Sequence, residues 1–119
     1  MHLVELDPHF SPLPKGISIS SERPMYGIAF DMDIESLRSE YGDPYNGAYI
    51  EIRRVLQKHG FNWQRGSVYL GGENINAVTC VMAAIDLANQ LPWFGPSVRD
   101  IRMLRIEELN DLMPAIRQA

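Results

Sequence analysis

Tyr26-Gly27-Ile28-Ala29-Phe30-Asp31-Met32-Asp33 is the stretch that decides how this chain folds. Strand alternation places Tyr26, Ile28, Phe30 and Met32 on one face, and Gly27, Ala29, Asp31 and Asp33 on the other. The first face requires a hydrophobic layer. The second is nearly bare of side chains, so another backbone can approach it, and it ends in carboxylates. Burying a carboxylate at the end of a central strand is costly, so Asp31 calls for an explanation.

Downstream, Asp33 is placed to cap a short helix running through Leu37 to about Tyr41, ended by Gly42. Asp43-Pro44 reads as the entry to a second helix, with a capping carboxylate followed by proline at the first helical position. Tyr45, Ala48, Tyr49, Ile52, Val55, Leu56 and His59 recur at the spacing of one helix face, and Gly60 follows where a left-handed cap belongs. Phe61-Asn62-Trp63-Gln64 and Ser67-Val68-Tyr69-Leu70 flank Arg65-Gly66, which predicts a β-hairpin. Asn74 or Asn76 can cap a third helix with the apolar stripe Val78, Val81, Met82, Ile85 and Ala88, stopped by Pro92. A last strand is expected over about Val98 to Glu107, with Leu104 and Ile106 inward and Met103 and Arg105 on the opposite face. A short helical turn over Leu109 to Ile116 completes the chain.

The order β-α-β-β-α-β, with helical crossovers around an antiparallel hairpin, is the ferredoxin-like arrangement of the α+β class. Both helices cover one face of a four-stranded sheet, and the other face meets solvent or a partner. On the expected registers that open face carries Gly27, Ala29, Asp31, Ser67, Tyr69, Met103 and Arg105. Glycine and alanine are poor solvent-facing strand residues. Self-association through this face would be isologous and would set two copies of Asp31 across a twofold axis.

A length of 119 residues suits one domain with a single hydrophobic core. The composition, 45% apolar and 22% charged, is that of a globular protein. No run approaches the roughly 18 apolar residues of a membrane span, and Glu5, Asp7 and Pro8 interrupt any signal-peptide core. A single cysteine, Cys80, in an apolar helical stretch reads as a buried thiol and suits a reducing cytoplasm. A net charge of −4 argues against indiscriminate nucleic-acid binding and leaves room for RNA held at a local basic patch. Residues 1–24 differ from the rest, holding Pro8, Pro12, Pro14 and Pro24, half of the eight prolines. They read as an extension, either poorly ordered or laid along the surface, with Gly16 to Ser20 as a candidate edge strand, ahead of a domain over residues 25–119.

Two carboxylates brought close together repel, which raises a pKa or recruits a divalent cation such as magnesium or manganese. Either outcome suits phosphodiester cleavage, with Asp31 as general base or metal ligand. Against this stands a strand-end role for Asp31 and a capping role for Asp33. Arg65 at the hairpin tip, and Arg99, Arg102 and Arg105 in the last strand, can bind phosphate. Ordinary surface pairing with Asp100, Glu107 and Glu108 is the alternative. Ser67 and Tyr69 can position a nucleophile or stack a base. Arg53, Arg54 and Lys58 read as the solvated face of the second helix. His2, His9 and His59 lack the spacing of zinc ligands. Gly71-Gly72-Glu73 has no lysine and is not a phosphate loop.

Four ordered motifs carry a family resemblance: Met25-Tyr26-Gly27-Ile28-Ala29-Phe30-Asp31, Tyr41-Gly42-Asp43-Pro44-Tyr45-Asn46, Gly60 to Tyr69, and Trp93 to Arg102. Together they resemble virulence-associated protein D (VapD) over about residues 25–116. The resemblance implies a modified ferredoxin-like fold and a homodimer, with larger assemblies left open. It also implies cytoplasmic endoribonuclease activity, often as the toxin paired with an antitoxin protein. The family is similar to the small ferredoxin-like nucleases of CRISPR adaptation, in which the important acid also ends the first strand. That position maps onto Asp31, with less direct support for Ser67 and Arg65. The extension 1–24 departs from the pattern and is placed to mask the open face or block RNA. A non-catalytic dimeric module that binds RNA or protein is the other reading of the same fold.

Overall fold

Alternation in Met25–Met32 produces strand β1, and the computed structural model describes residues 24–118 around it. The expected edge strand over Gly16 to Ser20 lies outside the described residues. Ile28, Phe30 and Met32 are buried while Asp31 is exposed, so the two faces of β1 differ as the sequence requires. Helix α1 (Ile34–Glu40) starts at Asp33, whose Oδ1 accepts the Glu35 N–H at 3.2 Å. Helix α2 (Asn46–Lys58) buries Ala48, Ile52, Val55 and Leu56. It begins two residues later than Asp43-Pro44 suggested. That peptide bond is cis and forms a turn, and the Asp43 carboxylate faces Arg38 at 3.9 Å instead of capping a helix.

Strands β2 (Phe61–Arg65) and β3 (Val68–Gly71) form the hairpin around Gly66, which takes a left-handed φ of 54°. Helix α3 (Ala77–Gln90) opens with a capping box in which Asn76 and Thr79 exchange hydrogen bonds. A four-residue helix α4 (Phe94–Ser97) leads into β4 (Val98–Ile106). The sheet order is β2-β3-β1-β4, with β3 antiparallel to both β1 and β2. Each helical crossover therefore skips one strand, which is the ferredoxin-like topology expected. Residues 25–105 form one compact unit. Residues from Ile106 onward fall in a second, whose described helix α5 (Met113–Gln118) opens where Asp111 accepts the Met113 N–H at 2.9 Å.

Three faces differ from expectation. On α3, Val78, Val81, Met82 and Ile85 are exposed, and the buried residues are Cys80, Ala83 and Leu87. Small side chains let the helix settle closely on the sheet, bringing the Cys80 Sγ to 4.0 Å from the Gly27 carbonyl. Periodicity favours the bulkier stripe, whereas packing here selects the smaller one. The Cys80 thiol is buried as expected, and burial raises its pKa.

On β3, Tyr69 stands opposite Ile28 and stacks on Phe30 at 6.1 Å, so it belongs to the helix-covered core and not to the open face. Val68 and Leu70, opposite Ala29 and Gly27, take the open face instead. On β4, Val98 and Ile101 both pack against the core although they are three apart, so the alternation slips by one residue between them. Beyond the slip, Ile101 and Met103 line a shallow recess under α3. Leu104 turns to the open face, with its Cδ1 3.7 Å from where a Gly27 Cβ would stand. The expected inward Leu104 and outward Met103 are thus exchanged, because strict alternation cannot register an extra residue.

Gly27 owes its identity to the sheet itself. A Cβ there would lie 2.7 Å from the Tyr69 carbonyl oxygen and 2.9 Å from Leu70 Cδ2. The space expected for a second layer is filled at this position by neighbouring strands.

Candidate active site at the end of β1

Asp31 and Asp33 project from the end of β1, where the chain turns into α1. The Asp33 N–H donates to the Ser97 carbonyl at 2.8 Å, which holds the start of β4 beside the end of β1. Arg99 then reaches both acids, with Nη1 3.7 Å from Asp31 Oδ2 and Nη2 3.9 Å from Asp33 Oδ1. These distances exceed hydrogen-bond length. The guanidinium balances charge while leaving carboxylate lone pairs available.

The hairpin closes the other side. The Phe30 N–H donates to the Ser67 carbonyl at 3.1 Å, extending the β1–β3 ladder into the turn. The hairpin tip with Arg65, Gly66 and Ser67 is therefore brought to one side of Asp31, and Arg99 to the other. Ser67 is half-buried and stands opposite Phe30, on the core side of the pleat. Arg65 is exposed at the tip. Arg102 is exposed one strand away, with its Nε shared between the two carboxylate oxygens of Asp100 at 3.0 and 3.1 Å. For Arg102, ordinary surface pairing is what the structure contains. Tyr69, expected to offer its ring to a base, is 2% exposed and has no accessible ring face.

Among the described residues no group of three His, Cys, Asp or Glu side chains is arranged to hold a metal ion. In one protomer Asp31 and Asp33 are two carboxylates facing one arginine. A magnesium ion is ordinarily held by one or two carboxylates, with water and substrate phosphate completing its oxygen shell.

Two residues missed by the sequence reading bear on this site, Tyr49 near Asp31 and Trp63 at the hairpin. Tyr49 on α2 is half-buried, and its phenol is raised above its ordinary pKa by burial, then by Tyr45 and by the charge of Asp31. It stays protonated at neutral pH and can donate a hydrogen bond. Trp63 on β2 is 44% exposed, yet its ring is restrained twice. Its Nε1 donates to the Gly66 carbonyl at 2.9 Å, and the Arg53 guanidinium lies 4.2 Å over its ring. Trp63 stands directly opposite Tyr69, so the available signal was the aromatic pair itself, with the outer member on an edge strand.

The fold and this acid–arginine pairing define a ferredoxin-like α+β protein with an accessible carboxylate at the end of its first strand, a site suited to an anionic substrate. No family model matches the chain. It is 52% identical over 93 residues to an endoribonuclease VapD homolog of Helicobacter pylori, covering 78% of this chain and 97% of that protein. It is 48% identical over 93 residues to endoribonuclease VapD 2 of Riemerella anatipestifer, covering 77% and 99%. An endoribonuclease VapD of Dichelobacter nodosus is 46% identical over 95 residues, covering 80% and 100%. The chain belongs to the VapD family.

Proposed function

We propose that this protein is an endoribonuclease that hydrolyses phosphodiester bonds in RNA, with Asp31 as general base. The observation that carries this reading is the exposed Asp31 carboxylate facing Arg99 on a chain whose near-full-length relatives bear the endoribonuclease name. Asp31 takes the proton of an attacking water, whose oxygen bonds to phosphorus as the bond to the leaving ribose oxygen breaks. Arg99 offsets the charge that grows on the non-bridging oxygens. The leaving oxygen takes up a proton from solvent. Arg65 at the hairpin tip steers the flanking phosphate, and Ser67 helps to hold the scissile group.

The protein acts as a homodimer through the open sheet face, where Val68, Leu70 and Leu104 surround Gly27. A magnesium or manganese ion at Asp31 would take its remaining oxygen donors from water, from the substrate phosphate and from a second copy of Asp31 across the twofold. In the cell we place the enzyme in the cytoplasm as the toxin of a toxin–antitoxin pair. No helix among the described residues is long and apolar enough to cross a membrane.

The alternative is a dimeric module that binds RNA or protein without chemistry. It is favoured by the Asp31–Arg99 pair, which has the open geometry of an ordinary surface ion pair. Cleavage of a long single-stranded RNA by wild type and Asp31→Asn, each with magnesium, manganese or a chelator, separates the readings. Wild-type cleavage lost in Asp31→Asn supports the enzyme, and intact RNA in every lane supports the binding module.

A further inference from the structure

Trp63 is a large aromatic side chain exposed on an edge strand, where lysine, glutamate or threonine would cost nothing. A loosely attached surface tryptophan would rotate freely. This one is held by its Nε1 bond to Gly66 and by Arg53 over one ring face. The Nε of Arg53 is itself buried and has no hydrogen-bond partner, and the guanidinium is shared between this ring and the neighbouring Tyr69 phenol, which fixes it in place. Such an arrangement presents a flat, fixed π-surface backed by positive charge.

We propose that Trp63, clamped by Arg53, is a stacking subsite for one unpaired nucleobase of single-stranded RNA. It would receive a base beside the hairpin while the backbone passes the tip toward Asp31. This deepens the endoribonuclease reading and rests on it for the choice of RNA as ligand. The placement follows from the ladder. Trp63 is tied to the carbonyl of Gly66, the neighbour of Ser67, whose carbonyl accepts from the Phe30 N–H one residue before Asp31. The ring stands on the Tyr69 side of the sheet and Asp31 on the other, so the RNA strand rounds the tip between them. The hairpin tip thus couples the proposed base platform to the proposed cleavage point. Base–aromatic stacking tolerates any sequence because every base has a π-face. A net charge of −4 makes such a contact valuable, since phosphate attraction over the whole surface is weak. Trp93, the second tryptophan, packs edge-on against Tyr41 and serves as an internal reference.

The test uses the full chain carrying Asp31→Asn, titrated with a twelve-residue oligoadenylate and with a ribose-phosphate strand of equal length lacking bases. Oligoadenylate should quench indole emission, Trp63→Phe should abolish that quench, and Trp93→Phe should keep it. Trp63→Leu should weaken oligoadenylate binding about fivefold or more, and binding of the abasic strand far less. Quenching retained in Trp63→Phe, or equal affinity for the two strands, would overturn the subsite. If Trp63→Leu fails to fold, the quench comparison between wild type and Trp63→Phe still decides. The two readings fail separately. Base-dependent Trp63 quenching by a wild type that cleaves nothing removes the nuclease and leaves the subsite. Cleavage of RNA with no response at Trp63 does the reverse.

Discussion

Arg99 stands 3.7 Å from Asp31 while the two side chains remain 62% and 63% exposed, so the pair shares charge without closing into a buried salt bridge. An exposed pair of this kind contributes at most about 1 kcal/mol to stability. Its conservative removal should therefore separate folding from chemistry. Asp31→Asn is expected to keep its melting temperature and to lose RNA cleavage by about a hundredfold or more. Arg99→Lys should retain part of the activity and Arg99→Ala little, since only the guanidinium offers two parallel donors to a phosphate.

Gly27→Ala should destabilise the fold by about 1–3 kcal/mol, because its new methyl group would meet the rigid Tyr69 carbonyl as well as the Leu70 side chain, and only the side chain can move aside. Urea unfolding measures this. Ala29→Gly on the same face measures the backbone-entropy difference between the two residues, which favours alanine and so cannot account for a loss at Gly27.

The two apolar stripes of α3 make opposite predictions. Leu87→Ala should cost about 2–5 kcal/mol as a fully buried side chain is lost. Met82→Ala, on the exposed stripe, should change protomer stability by about 0.5 kcal/mol or less. Reversal of that order in denaturant titrations would mean that α3 packs through its other face.

At the far end of the helices, the Asp86 carboxylate lies 2.8 Å from His59 Nε2 and accepts both contacts from Gln90, whose Oε1 meets Lys58. The hydrogen bond to His59, then those to Gln90, hold the Asp86 pKa below its ordinary value. A carboxyl depressed in this way contributes stability above its unfolded pKa of about 3.9 and loses it as pH falls through the lower folded value. The melting temperature of wild type should exceed that of Asp86→Asn near pH 7. The gap should close as the pH is lowered past about 4.

Ser97 is completely buried, and its hydroxyl has no hydrogen-bond partner, while its carbonyl does the structural work of receiving the Asp33 N–H. Ser97→Ala should therefore leave stability unchanged or raise it by about 1 kcal/mol. Thermal unfolding reads this directly, and Ser97→Val tests whether the space tolerates a larger group.

The element order was legible because each boundary carried its own chemistry: Asp33 and Asn76 as caps, Gly66 at the hairpin, Pro92 as a stop. The faces of β1 and α2 were legible because one side of each is plainly apolar. Tyr69 was misplaced because a two-residue hairpin link gives no parity until the partner register is known. The α3 stripe was misread because both of its sides are apolar, and close packing favours Cys80 and Ala83 over Val81 and Met82. At the site, Asp31 and Arg99 were readable as candidates. Their proximity was not, since it depends on Ser97 binding the backbone of Asp33.

The one-residue slip between Val98 and Ile101 also constrains the length of the chain. Before the slip β4 brings Arg99 to the acids, and after it the same strand seals the recess under α3 with Ile101 and Met103. Deleting a single residue at Asp100 would remove the slip and keep the downstream faces, whereas deleting one at Arg102 would turn every later side chain to the other face of the sheet. Leu104 would then leave Gly27 uncovered, and Met103 would leave the recess under α3. Substitutions are therefore expected to be tolerated along this segment far better than insertions or deletions, because the spacing of its residues matters as much as their identity.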